Sequence, residues 1–262
     1  MKKLCLLLAI IIILTSALVG CSKKANPVSD FEYLISEKEN IAAIKGYIGD
    51  DLDVIVPQEI EGYPVTLIYI SAFAFSEIES ITLPDTVQTI QDRAFMSCSN
   101  LHTVNLGKSV TVIGAEAFKN CKKLENIKLP YGLQNIGTYA FFECKSLKEI
   151  TIPKSVTEMG MGTFYSSSLS SITFEEGIET IGSYACFWCG DKLKSITIPK
   201  SVKEIGEYSF NDKLEKVYFK GDAPEKLGNK KPFGDNAILY YKKNKSGWDT
   251  TPLKDEYTLI PY

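Results

Sequence analysis

Leu83-Pro84-Asp85-Thr86-Val87-Gln88-Thr89-Ile90 runs on through Ala94-Phe95, Cys98, Leu101 and Val104, and at Leu106 the same order begins again. The second copy carries Val110, Ile113, Ala117-Phe118, Cys121, Leu124 and Ile127. The third carries Leu133, Ile136, Ala140-Phe141, Cys144, Leu147 and Ile150. The period is 23 residues. Apolar residues at fixed offsets in a period of this length predict a solenoid in which each copy is one coil. No coil can bury its apolar side alone, so each depends on the copies before and after it.

The pattern continues outward with small changes of length, which a coil absorbs at its corners. Ile152 opens a copy of 22 residues (Val156, Met159, Phe164, Leu169, Ile172), Phe174 one of 24 (Ile178, Ile181, Ala185, Cys189, Leu193, Ile196) and Ile198 one of 21 (Val202, Ile205, Phe210, Leu214, Val217). Upstream, Val65, Ile68, Ala72-Phe73, Ile78 and Ile81 form an earlier coil, giving about seven between Glu61 and Tyr218.

Within a coil the spacing assigns the parts. Leu147-x-x-Ile150-x-Ile152-Pro153 alternates with period two and is rich in β-branched residues, so it reads as a short strand ended by proline. Val156-x-x-Met159 reads as a second short extended segment. The glycine after this segment (Gly114, Gly137, Gly160, Gly182, Gly206) permits a corner that a side chain would obstruct. Ala-Phe-x-x-Cys fits one helical turn with its apolar residues inward. The fold class expected is therefore a repeat solenoid of leucine-rich-repeat type, with short stacked strands and a helical turn per coil. Five or six apolar side chains per coil contribute roughly 1.5 to 3 kcal/mol each on burial against neighbouring coils.

In copies such as Ile152-Pro153-Lys154-Ser155-Val156-Thr157-Glu158-Met159-Gly160 and Ile198-Pro199-Lys200-Ser201-Val202-Lys203-Glu204-Ile205-Gly206, the units resemble the BspA-type leucine-rich repeats of bacterial surface proteins. The entry Ile60-Glu61-Gly62-Tyr63-Pro64-Val65-Thr66 and the exit Val217 to Pro224 resemble the beginning and end of such domains. The resemblance implies adhesion to host or matrix proteins, or interactions between cells. The chain departs from the pattern at Cys186, where phenylalanine is usual, and at Met161-Gly162-Thr163, where the alanine is replaced.

The front of the chain belongs to another system. Lys2 and Lys3 precede an apolar run, Leu4 to Leu14, that is short for a membrane span and suits a secretory signal peptide over residues 1–20. Leu18-Val19-Gly20-Cys21 resembles the lipobox of bacterial lipoproteins, which implies lipidation of Cys21 and a membrane anchor outside the cytoplasm. Losing Lys2 and Lys3 takes the formal charge from -3 to -5, which argues against nucleic acid as a partner and against a polybasic membrane patch. Residues 21–30 then read as the lipidated cysteine and a polar tether. Residues 31–60 read as an N-terminal β cap, with a hairpin from Phe31–Ile35 and Ile41–Tyr47 and a strand at Val54–Pro57. Residues 61–218 are the solenoid and 219–262 a C-terminal cap, since open solenoid ends expose apolar surface and unpaired strand edges. Trp248 and Tyr240-Tyr241 read as packing within that second cap.

Reactive residues are few. Cys186-Phe187-Trp188-Cys189 has the spacing of a thiol redox motif in a compartment that permits disulfides. Yet Cys189 falls in the column of Cys98, Cys121 and Cys144, and no strand-to-helix setting surrounds the pair. A Cys186–Cys189 disulfide is a separate expectation, and the column cysteines read as small buried apolar side chains. His102, the only histidine, occupies a position that is Glu125, Lys148, Ser170, Lys194 and Glu215 in other coils, so it reads as solvated. Glu175-Glu176 reads as solvent-facing charge. No metal site, cofactor or catalytic residue is predicted.

That leaves the outside. The outward positions of the main strand are Thr82, Asn105, Lys128, Thr151, Thr173, Thr197 and Tyr218, beside Ser80, Thr103, Asn126, Glu149, Ser171, Ser195 and Lys216. Coils stacked at about 4.8 Å line these up as a polar sheet roughly 30 Å long. Threonine suits any strand facing water, so the column reads as ordinary solvated surface or as a contact face. Carbohydrate binding would favour exposed aromatic platforms, and Tyr218 alone supplies one in this column, so a protein partner is the better expectation. The leading function expected is a membrane-anchored, non-enzymatic interaction or adhesion module. The alternatives are an accessory envelope lipoprotein that binds a component of its own envelope, and a thiol oxidoreductase at Cys186 and Cys189.

Overall fold

The computed structural model describes residues 24–210 and 212–262. The segment expected as a signal peptide and the expected lipidation site at Cys21 lie outside the described residues. Along the chain the strands are β1 (Phe31–Ser36), β2 (Ile41–Tyr47), β3 (Asp53–Ile55), β4 (Glu59–Ile60), β5 (Tyr63–Ile68), β6 (Ser80–Thr82), β7 (Thr89–Ile90), β8 (Thr103–Asn105), β9 (Val112–Ile113), β10 (Asn126–Ile127), β11 (Asn135–Ile136), β12 (Glu149–Ile152), β13 (Glu158–Met159) and β14 (Ser171–Phe174). They continue with β15 (Thr180–Ile181), β16 (Ser195–Ile198), β17 (Glu204–Ile205), β18 (Lys216–Phe219), β19 (Lys226–Leu227) and β20 (Ile238–Tyr241). A short helix α1 (Leu253–Glu256) and β21 (Thr258–Pro261) close the chain.

Two series of parallel strands run along the stack. The short strands form one continuous sheet in the order β1-β2-β5-β7-β9-β11-β13-β15-β17-β19, with β4 attached to β5. The main strands form β3-β6-β8-β10, then β12-β14, then β16-β18-β20-β21. Stacking is therefore not confined to the recognisable repeats. β2 and β3 add to the two series before the first coil, and β20 and β21 extend the main series beyond Tyr218. The hairpin of β1 and β2 forms as expected, antiparallel with an irregularity at Glu32 and Tyr33. Part of the segment expected as a tether is docked: the Asn26 amide donates to the Ile55 carbonyl at 2.9 Å and its side-chain oxygen accepts from the Ile55 amide at 2.7 Å. This pairing satisfies backbone groups on the open edge of β3.

The interior consists of ladders. Phe73, Phe95, Phe118, Phe141 and Phe164 stack with centroids 5.1, 5.1, 5.3 and 5.4 Å apart. Beside them Cys98, Cys121 and Cys144 stand in a row, each thiol donating to the carbonyl of the ladder phenylalanine one coil back: Phe73 (2.9 Å), Phe95 (3.1 Å) and Phe118 (3.2 Å). At the corner glycines, a side chain on Gly137 would meet the Ala115 backbone nitrogen at 2.5 Å and one on Gly160 the Thr138 nitrogen at 2.6 Å. The reason for glycine is close stacking, since neither residue has positive φ. The replaced alanine at Thr163 is accommodated because its buried hydroxyl donates to the Gly160 carbonyl at 2.7 Å.

One local expectation differs. Ala-Phe-x-x-Cys is a run of tight turns, with no helix. Arg93 (φ 59°) and Ser97 (φ 62°), and one coil later Glu116 (55°) and Asn120 (62°), are left-handed. Such residues cost roughly 1–2 kcal/mol each. Alternate amides then point along the stack: those of Arg93, Phe95 and Ser97 donate to the carbonyls of Ala115, Ala117 and Lys119 at 2.9, 2.8 and 2.7 Å. The intervening amides of Ala94, Met96 and Cys98 close turns within the coil. A helix would direct every amide inside its own coil and forgo this third inter-coil ladder, which offsets the left-handed strain.

Candidate binding face

In each main strand one residue points into the stack and the next points out. Val104, Ile150, Ile172, Ile196 and Val217 are buried, and Asn105, Thr151, Thr173 and Thr197 are exposed. The register aligns Thr82 with Asn105, Thr151 with Thr173, and Thr197 with Tyr218. The Asn105 amide donates to the Thr82 hydroxyl at 3.2 Å, a bond along the column. Lys128 follows β10 and is exposed. The six predicted positions, Asn105, Lys128, Thr151, Thr173, Thr197 and Tyr218, thus share one side of the coil. The column continues through Tyr240 and Ile260, beyond the last repeat. Tyr218 stacks on Tyr240 at 4.9 Å and meets Tyr262 edge-on at 6.2 Å, so this end of the face is aromatic.

The face is not flat. Main-strand pairing stops after β10 and resumes at β12, and there the surface opens into a groove of about 940 Å³ lined by Asn105, Lys108, Asn126, Lys128, Tyr131 and Glu149 among others. A second hollow of about 280 Å³ continues from Lys128 and Tyr131 to Thr151, Thr173 and Glu175. Tyr131, 70% exposed, stands on its rim and escaped the sequence reading. It occupies a loop position that is Asp85, Lys108, Lys154 and Lys200 in other coils, and that contrast was the available signal. The groove offers hydroxyls, amides, the ammoniums of Lys108, Lys128 and Lys148, carboxylates and a phenol. These groups suit the binding of polar and charged partners.

The other predicted residues are elsewhere. Cys186 and Cys189 form a disulfide and both are fully buried, so another disulfide reaches neither sulfur without opening the coil. His102 is exposed, 3.0 Å from the Thr103 hydroxyl. Glu175 accepts the Lys154 amide at 3.0 Å. Trp248 is buried against Tyr241 (4.9 Å) and Phe219 (4.7 Å) and donates to the Gly221 carbonyl at 3.3 Å, a packing role. Among the described residues no group of three or more His, Cys, Asp and Glu is placed to hold a metal, and no helix is long and apolar enough to cross a membrane.

A further set escaped the sequence reading altogether. On the tight-turn side, Tyr139, Phe142, Tyr165, Tyr184, Phe187, Trp188 and Tyr208 form one network of ring contacts. Partial burial, and then the Glu207 carboxylate nearby, raise the Tyr184 phenol above its ordinary range.

No curated protein matches the chain. Among solved structures, a leucine-rich repeat protein of T. pallidum is 28% identical, with a TM-score of 0.61 over 78% of this chain and 86% of that one. A leucine-rich repeat protein of Bacteroides ovatus is 27% identical, with a TM-score of 0.68 over 91% of this chain and 67% of that one. The family model for the BspA type leucine rich repeat region matches in six copies, over residues 66–190 and 111–229. With its ladders, register and repeat matches in agreement, the chain belongs to the BspA-type leucine-rich repeat family.

Proposed function

We propose that this chain is a lipid-anchored extracytoplasmic interaction module that holds a protein partner on its main-strand face. The observation that carries the reading is the pair of hollows at the break between β10 and β12, one lined by Asn105 and the other by Thr151, with Lys128 and Tyr131 shared by both. A rigid stack presents these groups in fixed register, so little ordering opposes binding. Leucine-rich repeat proteins in general are protein-binding scaffolds, and solenoids use such extended surfaces for that purpose. Cys21, preceded by Leu18-Val19-Gly20, supplies the anchor that keeps the module at the membrane.

The full chain immobilised and exposed to cell-surface, matrix and envelope proteins is expected to retain one of them saturably. Lys128→Glu combined with Thr151→Glu should weaken that binding at least tenfold. An absence of saturable binding, or affinity unmoved by the double substitution, would overturn the reading. The anchor is tested separately, by incorporation of labelled fatty acid that Cys21→Ser abolishes.

A further inference from the structure

The tight-turn side changes character along the stack. In the coils of Arg93 and Glu116 the outward positions carry ion pairs, with Glu116 bridging Arg93 and Lys119 at 2.6 Å each. One coil later the same positions are Tyr139 and Phe142, and rings continue to Tyr208. From coil to coil, Phe142 to Tyr165 is 5.3 Å, Tyr165 to Phe187 is 5.8 Å and Phe187 to Tyr208 is 5.7 Å between centroids. Trp188, beside Phe187 at 5.4 Å, is 60% exposed. Three coil steps make this a continuous row about 14 Å long.

We propose that this row is a carbohydrate-binding platform that seats a polysaccharide chain along the stacking direction. A pyranose has apolar faces of C–H groups and a rim of hydroxyls. Its site needs aromatic surface with charged or hydroxyl groups at the edges. Here Phe142 and Tyr165 lie within 17° of parallel, and Phe187 is tilted by 46° from Tyr165 and by 62° from Tyr208. The exposed face is that of Trp188 beside this ridge. The rings here are mainly tyrosines, whose phenols supply hydroxyls at their own edges. A shallow groove of about 430 Å³ is lined by Tyr139, Phe142, Tyr165 and Tyr184 together with Glu116 and Lys119. The Lys119 ammonium lies 5.4 Å from the centre of the Phe142 ring. Gly162 shapes the floor: it takes the column position of Tyr139 and Tyr184 with φ 61°, and a Cβ there would run into the Tyr139 ring.

The surroundings favour a sugar over the other ligands that aromatic residues serve. A protein hot spot is sealed by neighbouring contacts that exclude water. This row is one or two rings wide and is flanked by Glu116, Lys119 and the Glu143–Lys145 pair (3.7 Å), which keep its edges wet. A lipid surface would call on a broad exposed apolar face bordered by basic residues. Between Tyr139 and Tyr208 the exposed large apolar residues are Met161 and Trp188.

The test is affinity electrophoresis of the full chain through gels containing soluble β-glucan, xylan or galactomannan, with co-sedimentation on chitin and on peptidoglycan. Retardation or sedimentation by at least one polymer is expected. Trp188→Ala, a change at an exposed side chain, should weaken it at least tenfold while the urea midpoint stays put, and Tyr165→Ala should do the same. Lys128→Glu with Thr151→Glu and Tyr240→Ala, all on the main-strand face, should leave it unchanged, which separates this site from the protein-binding face. The proposal is overturned if no polymer binds, if binding survives Trp188→Ala undiminished, or if Trp188→Ala abolishes binding of a purified protein partner while no polymer is retained.

Discussion

The three copies of equal length from Leu83 to Thr151 and the three uneven ones from Ile152 to Tyr218 use aromatic residues differently. In the first group the rings are inside until the third copy, where Tyr139 and Phe142 begin the outer row: Phe95, Phe118 and Phe141 are fully buried and nearly parallel, with interplanar angles of 5° and 4°. Outside them, through Lys119, the turn side carries ion pairs. In the second group the inner ladder is interrupted at Cys186, while Tyr165, Tyr184, Phe187, Trp188 and Tyr208 crowd the outside. A position repeated in every copy is constrained by its neighbours above and below. A position that breaks the repeat is released from that constraint, and here the breaks coincide with exposed rings.

The largest expected effect tests whether the inner rings hold the stack together. Phe118 lies 5.1 Å from Phe95 and 5.3 Å from Phe141, so Phe118→Ala leaves a cavity and should cost about 3–5 kcal/mol in urea denaturation. Phe187→Ala removes the same ring from the partly exposed row and should cost less than half as much. Equal costs would make the outer rings structural and erase the distinction.

Alkaline stability gives the next effect. Burial pushes the Cys121 and Cys144 thiols well above the ordinary thiol range, whereas the hydrogen bond from Cys121 moves Cys98 the other way. Below about pH 8.5 both states keep Cys121 and Cys144 protonated. Above it, only the unfolded chain ionises them, so their contribution to stability is lost as pH rises from there toward the folded values. The slope is about 1.4 kcal/mol per pH unit for each thiol. Denaturation midpoints between pH 7.5 and 9.5 should fall more steeply in the parent than in Cys121→Ala/Cys144→Ala. The uneven copies add nothing to this difference, because Cys189 is held in a disulfide. Parallel slopes would show that the thiols ionise in place.

Legibility in the sequence followed the same division. The ladders could be read because stacking forces Ile113, Ile136 and Met159, or Phe118 and Phe141, to recur at one offset. The strand face could be read because alternation decides which side Thr151 and Thr173 take. The turn run could not: Ala94, Phe95 and Cys98 fit helical spacing, and Arg93 and Glu116 carry no glycine-like sign of left-handed backbone. Inter-coil hydrogen bonds decide their conformation, and those exist only after stacking. The aromatic row was hidden for a related reason. Phe142, Tyr165 and Phe187 are 23 and 22 residues apart in a ring column that starts at a lysine, Lys119, and they become neighbours only once the register is set.

The smallest effect bears on the break itself. The Cys186–Cys189 bond closes a loop with a sequence separation of 3, so chain entropy assigns it only about 2 kcal/mol. Cys186 also takes the ladder position between Phe164 and Phe210, where it pairs by a single bridge with Phe210. If the disulfide stands in for a missing ring, Cys186→Phe should restore packing as it removes the crosslink. Its stability should then stay within about 1 kcal/mol of the parent, while Cys186→Ser, which removes the bond and supplies no ring, should lose the full amount or more. Urea midpoints of the two variants, with and without reductant, decide the matter. If Cys186→Phe is as unstable as Cys186→Ser, the uneven copies have no room for the ring, and the interruption belongs to their packing and is not a substitution within a conserved ladder.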